Sequence, residues 1–460
     1  MKKKAPLMQA VPSSKTQLLT PILMFMLLLG ACQLPEGLEV PQSPLLAALE
    51  AKSGLIAYVG SDGNIYTMDQ GGGNIVAITE DAQGATQDDP ILRVYQHPTW
   101  APNSERLAFF SVEVDTLDAS QKAVVYSSTI GPDPEVTEIY STRSEIPFYS
   151  YWAPNSDELG FLSFNQAGST MLLNLVNQDA DHRVLDAAQP YYWNWAPEGQ
   201  RVAIHAGSPQ TASLERISFL DLAADGQVLE SVLDLQAASF QAPAWSPSGE
   251  WLLLAIEEEG ERSMVLVDRF GSVHRRLLDF DEAIAFGFSP DGQKIAALVG
   301  PQAPNGLLTG SLHVFELDGP EEAYVSEEDN IMSFFWAPNS NDLAYFQLEI
   351  VDPNQQQEGD EDTNQQQQQP LLVVNMQAYA HNTGETRSLT SNFLPTERFL
   401  NVLTFFNQYQ HSATIWSPDS QNLVFSAQTQ EAPIILVISA SGSLEPRVIS
   451  NGVLAFWSWD

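Results

Sequence analysis

Hydrophobic residues recur along the chain in short apolar runs, and each run follows a copy of one five-residue motif. The clearest copies read Trp-Ala-Pro-Asn-Ser and begin at Trp100, Trp152 and Trp336. The runs that follow them occupy residues 107–110, 159–162 and 343–346. Short apolar runs rich in aromatic residues and bounded by turn residues favour buried β-strands. The pattern therefore predicts a series of strands ordered by the motif.

Looser copies of the motif complete the series. They begin at Trp195, Trp245, Phe288 and Trp416, and an unfinished copy occupies residues 456–460. Most copies lie about 40 to 50 residues apart, which is the length of a four-stranded propeller blade. One longer interval separates Trp336 from Trp416. The spacing thus predicts a repeat fold in which each motif belongs to one blade.

The motif itself is typical of a tight turn between two strands. Apolar residues before it, as in residues 191–195, predict an inner strand. Proline fixes φ, and the Asn or Asp and the Ser or Gly that follow it tolerate turn conformations. Apolar stretches further on, such as residues 264–268 and 275–278, predict the third and fourth strands of a blade.

The two ends of the repeat region complement each other. Residues 54–59 look like a second strand that lacks a preceding motif, while residues 456–460 end just after an inner strand. Pairing the C-terminal inner strand with the N-terminal outer strands would close the ring and remove the exposed sheet edge. We therefore predict an all-β, closed β-propeller over residues 54–460. Eight four-stranded blades are expected, or seven if the Phe288 copy or the interval 336–415 is counted differently.

The motif also resembles a known repeat. Trp-Ser/Ala-Pro-Asp/Asn-Gly/Ser, followed by Ile/Leu-Ala and a hydrophobic residue, looks like the TolB-like subgroup of WD-type propeller repeats. The resemblance covers about residues 54–460 and implies a β-propeller, but such repeats are far more specific for fold than for function. TolB itself has an α/β domain before its propeller, for which this chain leaves no room. A role with the Tol–Pal proteins is therefore not implied.

The N-terminal residues predict where in the cell the protein is located. Lys2, Lys3 and Lys4 precede an apolar stretch at residues 21–29, and Leu29-Gly30-Ala31-Cys32 follows. The stretch is too short to span a bilayer and suits a signal peptide. The residues before Cys32 resemble a bacterial lipobox, which implies that residues 1–31 are removed and that lipid is attached to Cys32. Residues 32–53 are then a linker. Ordinary secretion and an uncleaved anchor are the alternatives to a lipid-anchored, extracytoplasmic protein of the bacterial cell envelope.

The amino-acid composition excludes nucleic acid as a binding partner and excludes an intramolecular disulfide. The chain has 20 Lys and Arg against 58 Asp and Glu, which gives a formal net charge of −38. A surface this acidic repels phosphate backbones, so nucleic-acid partners are excluded. Cys32 is the one cysteine, so no intramolecular disulfide can form and the core must stabilise the fold.

Departures from the repeat indicate a binding face. The loop between strands 2 and 3 and the link to the next blade lie on the same side of a propeller, and both are enlarged after Trp336. Residues 351–370 are rich in Gln, Asp and Glu and predict a disordered, solvated loop. The link runs roughly over residues 388–411. Loops on a rigid scaffold commonly bind ligands, so we expect the binding surface on this side.

Aromatic residues are frequent in the predicted inner strands. We single out a set of candidate binding residues at the mouth of the central channel: Tyr149, Tyr151, Tyr192, Trp193, Phe335, His97 and His411. Aromatic faces there would suit stacking on a sugar or a peptide. The alternative is that they pack between blades, as alternating aromatics in strands commonly do.

Motifs of common enzymes are missing from the sequence. It contains no G-x-S-x-G, H-E-x-x-H, C-x-x-C or phosphate-binding glycine loop. We predict no catalytic residues, no metal site and no cofactor. The expected function is a membrane-tethered, extracytoplasmic propeller that acts as a scaffold for a protein, peptide or glycan. The alternative is a cell-surface hydrolase or lyase with carboxylates or histidines in the central channel.

Overall fold

The computed structural model describes most of the repeat region. The described residues are 54–86, 89–165, 167, 170–207, 215–223, 225–319, 322–351 and 371–460. The predicted signal peptide, Cys32 and the linker lie outside these residues, as does the Gln-rich loop apart from its first residue. Those expectations therefore stay predictions. The described part forms 30 β-strands and two short α-helices.

The strands follow the chain in groups. The first group is β1 (Ile56–Gly60), β2 (Ile65–Met68) and β3 (Val76–Ala77). The next is β4 (Ile91–Trp100), β5 (Arg106–Asp115), β6 (Gln121–Thr129) and β7 (Val136–Thr142). Then come β8 (Glu145–Trp152), β9 (Glu158–Asn165), β10 (Thr170–Asn177) and β11 (His182–Ala188). The fourth group is β12 (Tyr191–Trp195), β13 (Arg201–Ala206), β14 (Arg216–Leu222) and β15 (Val228–Val232).

The second half of the chain continues in the same way. A fifth group is β16 (Ala244–Trp245), β17 (Trp251–Glu258), β18 (Glu261–Asp268) and β19 (Val273–Asp279). A sixth is β20 (Ala283–Phe288), β21 (Lys294–Gly300), β22 (Ser311–Glu316) and β23 (Glu322–Val325). A seventh is β24 (Ile331–Trp336), β25 (Asp342–Val351), β26 (Leu371–Ala380) and β27 (Glu385–Phe393). The last elements are α1 (Glu397–Thr404), α2 (Phe406–Tyr409), β28 (Asn422–Gln428), β29 (Pro433–Ser439) and β30 (Arg447–Trp457).

Each group of four strands is an antiparallel meander, as the motif predicts. Six sheets of this kind form, and a seventh sheet of six strands has the order β28-β29-β30-β1-β2-β3. The described residues therefore form a propeller of four-stranded blades with seven sheets. The expectation of eight is wrong, and the alternative count of seven agrees with the structure. The cause is β30, an 11-residue strand that pairs with β29 over its first half and with β1 over its second half.

Ring closure takes place where the sequence predicts it. Ile56 of β1 lies opposite Trp457 of β30, and the antiparallel pairing continues to Val59 opposite Leu454. The first strand of the repeat region is thereby held between β2 and a strand from the other end of the chain. Ile56 and Trp457 are fully buried, so closure is part of the hydrophobic core.

The motif forms the turn between the first two strands of a blade. In the first copy, the Ser104 amide donates to the Ala101 carbonyl at 2.9 Å, and the fifth position takes a left-handed φ of 56°. The same positive φ recurs at the fifth position of the other six complete copies: Ser156, Gly199, Gly249, Gly292, Ser340 and Ser420. Glycine adopts this conformation without a Cβ clash, and serine pays a small cost.

Serine at the fifth position adds a contact that glycine cannot make. The Asn103 amide donates to the Ser156 hydroxyl of the next blade at 3.1 Å. The Asn339 amide donates to Ser420 in the same way at 3.0 Å. Bonds of this kind join neighbouring motif turns on one side of the propeller, which we call the motif face. The opposite side, where strands 2 and 3 of each blade connect, is the loop face.

The unfinished motif at the C-terminus is completed by residues from the other end. Gly54 has a φ of 75°, and a Cβ on it would lie 2.9 Å from the Asp460 carbonyl oxygen and 3.0 Å from Pro418. The Ser458 amide donates to the Leu55 carbonyl at 2.7 Å, and the Leu55 amide donates to the Ser458 hydroxyl at 2.9 Å. The Ser458 amide bonds to Leu55 as the Ala101 amide bonds to Arg106, and Ile56 lies opposite Trp457 as Leu107 lies opposite Trp100. Gly54 therefore corresponds to Glu105, the residue after the fifth position, and the turn joins the two ends of the repeat region.

Candidate functional site

The link after β27 runs through the centre of the ring. We call residues 394–414 the channel segment. Thr396 caps α1 by accepting from the Phe399 amide at 3.2 Å, as a threonine before a helix commonly does. Phe399, Val402 and Leu403 are buried on one side of α1, and Phe406 of α2 is buried between the rings of β24. These residues of the link are therefore buried within the ring, and a binding role for the link stays a prediction.

Hydrogen bonds tie the channel segment to inner strands around the ring. The Thr396 hydroxyl donates to the Val453 carbonyl of β30 at 2.6 Å. Arg398 donates to the Gln96 side chain of β4 at 2.6 Å. The Gln410 amide group donates to the Phe286 carbonyl of β20 at 2.9 Å. Because the partners lie on separate blades, the segment fills the channel axis instead of lining one wall.

Gln408 makes the densest set of these contacts. Its side-chain oxygen accepts from the Trp193 amide at 2.9 Å, and its side-chain nitrogen donates to the Trp193 carbonyl at 2.8 Å. The Tyr149 hydroxyl donates to the Gln408 backbone carbonyl at 3.0 Å. Gln408 is 3% exposed. One buried amide side chain therefore occupies the main-chain hydrogen-bonding edge of an inner strand.

The structure brings the predicted binding aromatics together around this segment. Tyr149 and Trp193 are buried beneath Gln408, and Phe335 packs edge-to-face on Phe406 and Phe346. Their aromatic faces are in contact with the protein itself, which favours the packing alternative for these three. Burial raises the pKa of Tyr149 well above its ordinary value, so its hydroxyl stays protonated and donates to the Gln408 carbonyl.

The other four predicted residues lie nearer the ends of the channel. Tyr151 stacks on His411 with ring centroids 5.9 Å apart, and Tyr192 packs on Phe240 at 5.0 Å. His97 stacks on Tyr409 at the loop-face end. A ligand-binding role for the seven residues stays a prediction, and three of them, Tyr151, Phe335 and His411, line the opening described next.

A cavity opens on the motif face beside the end of the channel segment. It encloses about 390 Å³, and we call it the motif-face cavity. Tryptophan and proline residues from several copies of the motif dominate its lining: Trp245, Pro247, Pro290, Trp336, Pro338, Trp416, Pro418 and Trp459. Sequence reasoning treated the motif as structural only, and it missed these residues because nothing in a single copy shows that neighbouring copies converge on an opening.

Two of the lining tryptophans lack the hydrogen bond that others make. The indole N–H of Trp152 donates to the Thr99 carbonyl of the preceding blade, and that of Trp416 donates to the Phe335 carbonyl, each at 3.0 Å. The indole nitrogens of Trp245 and Trp336 are buried and have no partner among the described residues. A buried donor without an acceptor is a cost that native structures usually avoid.

Titratable groups are few in the motif-face cavity. Among the described residues that line it, only Tyr151 and His411 titrate, and no carboxylate is present. Burial lowers the pKa of His411 to about 4, so its imidazole is neutral at pH 7. Its Nε2 atom is buried without a hydrogen-bond partner. The cavity is therefore an uncharged, aromatic site with little capacity for acid–base chemistry.

A second opening lies on the loop face. This loop-face cleft encloses about 590 Å³ and is lined by His97, Asn305 and residues of α1, including Arg398 and Asn401. Its lining is more polar than that of the motif-face cavity and includes a guanidinium group. The channel segment thus separates two openings of different chemistry.

Clustered metal ligands and bilayer-spanning helices are both absent from the described residues. The described residues contain no cluster of three or more His, Cys, Asp or Glu side chains arranged to hold a metal ion. None of their helices has the length and apolar character needed to cross a bilayer.

Comparisons with known proteins concern the fold. No protein-family model and no curated protein matches the chain. TolB from Acinetobacter baumannii is 13% identical, with a TM-score of 0.35, over 82% of this chain and 87% of that one. The periplasmic gluconolactonase PpgL of Pseudomonas aeruginosa is 14% identical, with a TM-score of 0.39, over 74% and 96%. Dihydro-heme d1 dehydrogenase NirN is 10% identical, with a TM-score of 0.50, over 88% and 75%.

TolB proteins and other propellers are thus among the structures similar to this chain, which agrees with the resemblance of its motif to TolB-like repeats. At these identities the similarity establishes the propeller fold and carries no activity or ligand to this chain.

Proposed function

We propose that this propeller is a binding protein of the bacterial cell envelope, held on the extracytoplasmic side of a membrane through Cys32, that takes a protein, peptide or glycan ligand in the motif-face cavity. The observation that carries the proposal is the aromatic lining of that cavity, together with its lack of charged side chains. Tryptophan faces give large apolar contact at little cost in side-chain entropy and stack well on sugars and on prolyl or aromatic side chains.

The unpaired indole groups support a ligand that carries oxygen acceptors. Trp245 and Trp336 each hold a buried N–H without a partner. A carbonyl or hydroxyl oxygen that entered the cavity and reached them would relieve that cost. Peptides and glycans both combine such oxygens with flat or apolar faces, whereas a purely apolar ligand would leave the donors unpaired.

The alternative of a hydrolase or lyase in the central channel has less support. Residues 394–414 occupy the channel axis, and Gln408 closes its middle by bonding to Trp193 and Tyr149. The motif-face cavity has no lining carboxylate to act as acid, base or nucleophile. No observation in the described residues favours catalysis over binding.

Photocrosslinking in cells tests the binding site. Trp459 lines the cavity and is 41% exposed, while Phe270 lies in the turn between β18 and β19, outside the cavity, and is 75% exposed. A photoreactive aromatic amino acid at position 459 is expected to give a discrete adduct with a protein, peptide or glycan, and the same amino acid at position 270 is expected to give none. Identical labelling from the two positions would argue against a ligand in the motif-face cavity.

Replacement of the lipidation residue tests the tether. Cys32→Ser is expected to abolish acyl labelling and to release the protein from membranes, because each buried methylene of an attached chain contributes about 0.8 kcal/mol to membrane binding. Metabolic labelling with a fatty acid and membrane fractionation measure the two effects. Ser43→Ala in the predicted linker serves as the control and should change neither. If the Cys32→Ser protein stays with the membranes, the lipid anchor is wrong.

A further inference from the structure

The loop-face cleft contains a guanidinium group that forms no ion pair with a carboxylate among the described residues. Arg398 is partly buried at the start of α1, and its one side-chain hydrogen bond within the described part of the chain is to the neutral amide oxygen of Gln96, at 2.6 Å. Burial lowers the pKa of Arg398 below its ordinary value, although an arginine side chain stays charged in proteins. A desolvated charge without a counter-charge is unfavourable.

The described arginines divide into those that pair with an acid and those, including Arg398, that do not. In the described residues, seven arginines have a carboxylate oxygen within 4.0 Å of a side-chain nitrogen: Arg93, Arg183, Arg201, Arg216, Arg262, Arg276 and Arg387. Glu397 lies beside Arg398 in sequence and lines the same cleft, but it is exposed and forms no such pair. The Glu397 charge acts on Arg398 from a distance and only partly offsets the effect of burial, so the guanidinium keeps its N–H groups free of any carboxylate contact.

His97 provides a second, independent feature of the cleft. It is 8% exposed, and its ring contacts Phe110 and Tyr409, but its ring nitrogens have no hydrogen-bond partner in the described structure. Its backbone has a left-handed φ of 54°, at a bulge where the pairing of β4 with β5 shifts between Gln96 and Thr99. Bulges re-aim side chains, and strained backbone of this kind clusters at ligand sites.

The protonation state of His97 determines what it can do there. Burial, with a smaller contribution from the charge of Arg398, lowers the pKa of His97 to about 3. The ring is therefore neutral at pH 7 and offers one N–H donor and one nitrogen acceptor. Asn305, from the link between β21 and β22, and Asn401 of α1 line the same cleft and add amide donors and acceptors.

We propose that the loop-face cleft binds a small organic molecule through a single carboxylate, which pairs with the Arg398 guanidinium and accepts a hydrogen bond from His97. A guanidinium presents two parallel N–H groups that match the two oxygens of a carboxylate. The lining contains one cation, no second Lys or Arg, and the exposed carboxylate of Glu397, which suits a monoanion better than a doubly charged phosphate. Asn305 and Asn401 then contact polar groups on the remainder of the ligand. This site is independent of the motif-face cavity.

Calorimetric titration of the full-length chain in detergent micelles tests this site. The probes are acetate and D-glucuronate, with D-glucuronamide as the uncharged counterpart, in chloride buffer of constant ionic strength. The two carboxylates are expected to bind saturably and the amide is not. Arg398→Gln should weaken binding about tenfold or more, because it removes a charge-assisted pair. Arg398→Lys keeps the positive charge but lacks the two parallel N–H groups of the guanidinium, and it should give an intermediate affinity.

The control variant is Arg143→Gln, which removes an exposed arginine from the link between β7 and β8. It should bind like the unmodified chain, and circular dichroism should show that all variants stay folded. The proposal is overturned if neither carboxylate binds saturably at millimolar concentration, if Arg398→Gln binds them as the unmodified chain does, or if Arg143→Gln weakens binding as much as Arg398→Gln.

Discussion

Replacing Gln408 with leucine is expected to lower the free energy of unfolding by about 2 to 4 kcal/mol. Leucine has a similar volume but cannot pair with the Trp193 amide and carbonyl, which lie 2.9 and 2.8 Å from the Gln408 side chain. Both backbone groups would then stay buried and unpaired. The Tyr149 hydroxyl would lose the hydrogen bond from the Gln408 side-chain nitrogen, at 3.1 Å, while its bond to the Gln408 backbone would persist.

Urea titration followed by tryptophan fluorescence measures this loss as a lower unfolding midpoint with an unchanged slope. Gln293→Leu is the matched control, because Gln293 is an exposed glutamine beside the turn that ends at Gly292. It should shift the midpoint little. If Gln408→Leu were as stable as the control, the channel segment would not be held by this side chain. The burial of α1 and α2 would then rest on their apolar residues alone.

Gly160→Ala is expected to cost about 1 to 3 kcal/mol through a steric clash between two blades. Gly160 lies in β9, and a Cβ built on it would be 2.3 Å from Cη2 of Trp193 in the next blade. Trp193 is fully buried and packs against Tyr149, Tyr151 and Trp195. The indole cannot retreat without displacing those rings, so the added methyl group has to be accommodated by strain.

The same urea titration measures the effect of Gly160→Ala. Gly84→Ala is its control, because Gly84 is exposed and a Cβ there would meet no atom within 4 Å. The prediction is wrong if both variants unfold at the same urea concentration. Gly160 and Gln408 both contact Trp193. The free energy of unfolding lost by the double variant should therefore differ from the sum of the two single losses, because mutations that share a contact are usually not additive.

The turns and the closure of the ring could be predicted because each depends on local chemistry that repeats. Pro followed by Asn or Asp and then Ser or Gly specifies a turn with a positive φ at its fifth position, and Ser104, Gly292 and Ser420 all adopt it. The strand at Ile56 has no motif before it, and the unfinished motif at Trp457 has no strand after it. The sequence could therefore match the two. Their pairing in the structure confirms that expectation.

The channel segment could not be placed from the sequence with the same reasoning, although a local signal was present. Thr396 followed by Glu397, with Phe399, Val402, Leu403 and Phe406 at helical spacing, predicts a short amphipathic helix. What it packs against depends on contacts with residues far away in the chain, such as Gln96, Trp193 and Phe286. No single motif copy carries that information.

The number of sheets could not be predicted correctly, for a related reason. Whether the strand before Trp457 is separate from the strand that pairs with β29 depends on a hydrogen-bond register, and β30 runs through both positions as one strand. The pattern of apolar residues is the same in either case. The candidate aromatics were found because of their spacing, but packing and ligand contact require the same spacing, so the sequence could not separate the two roles.

The turn that Gly54 completes has a consequence for how the repeat could be connected. Because Gly54 lies against the Asp460 carbonyl and corresponds to the residue after the fifth position, a link of one serine or glycine between them would restore an uninterrupted motif turn. A circularly permuted chain that is joined there and opened at another motif turn would keep the same strands and the same contacts between turns. The pairing of the strands therefore does not depend on which motif turn the repeat region is opened at.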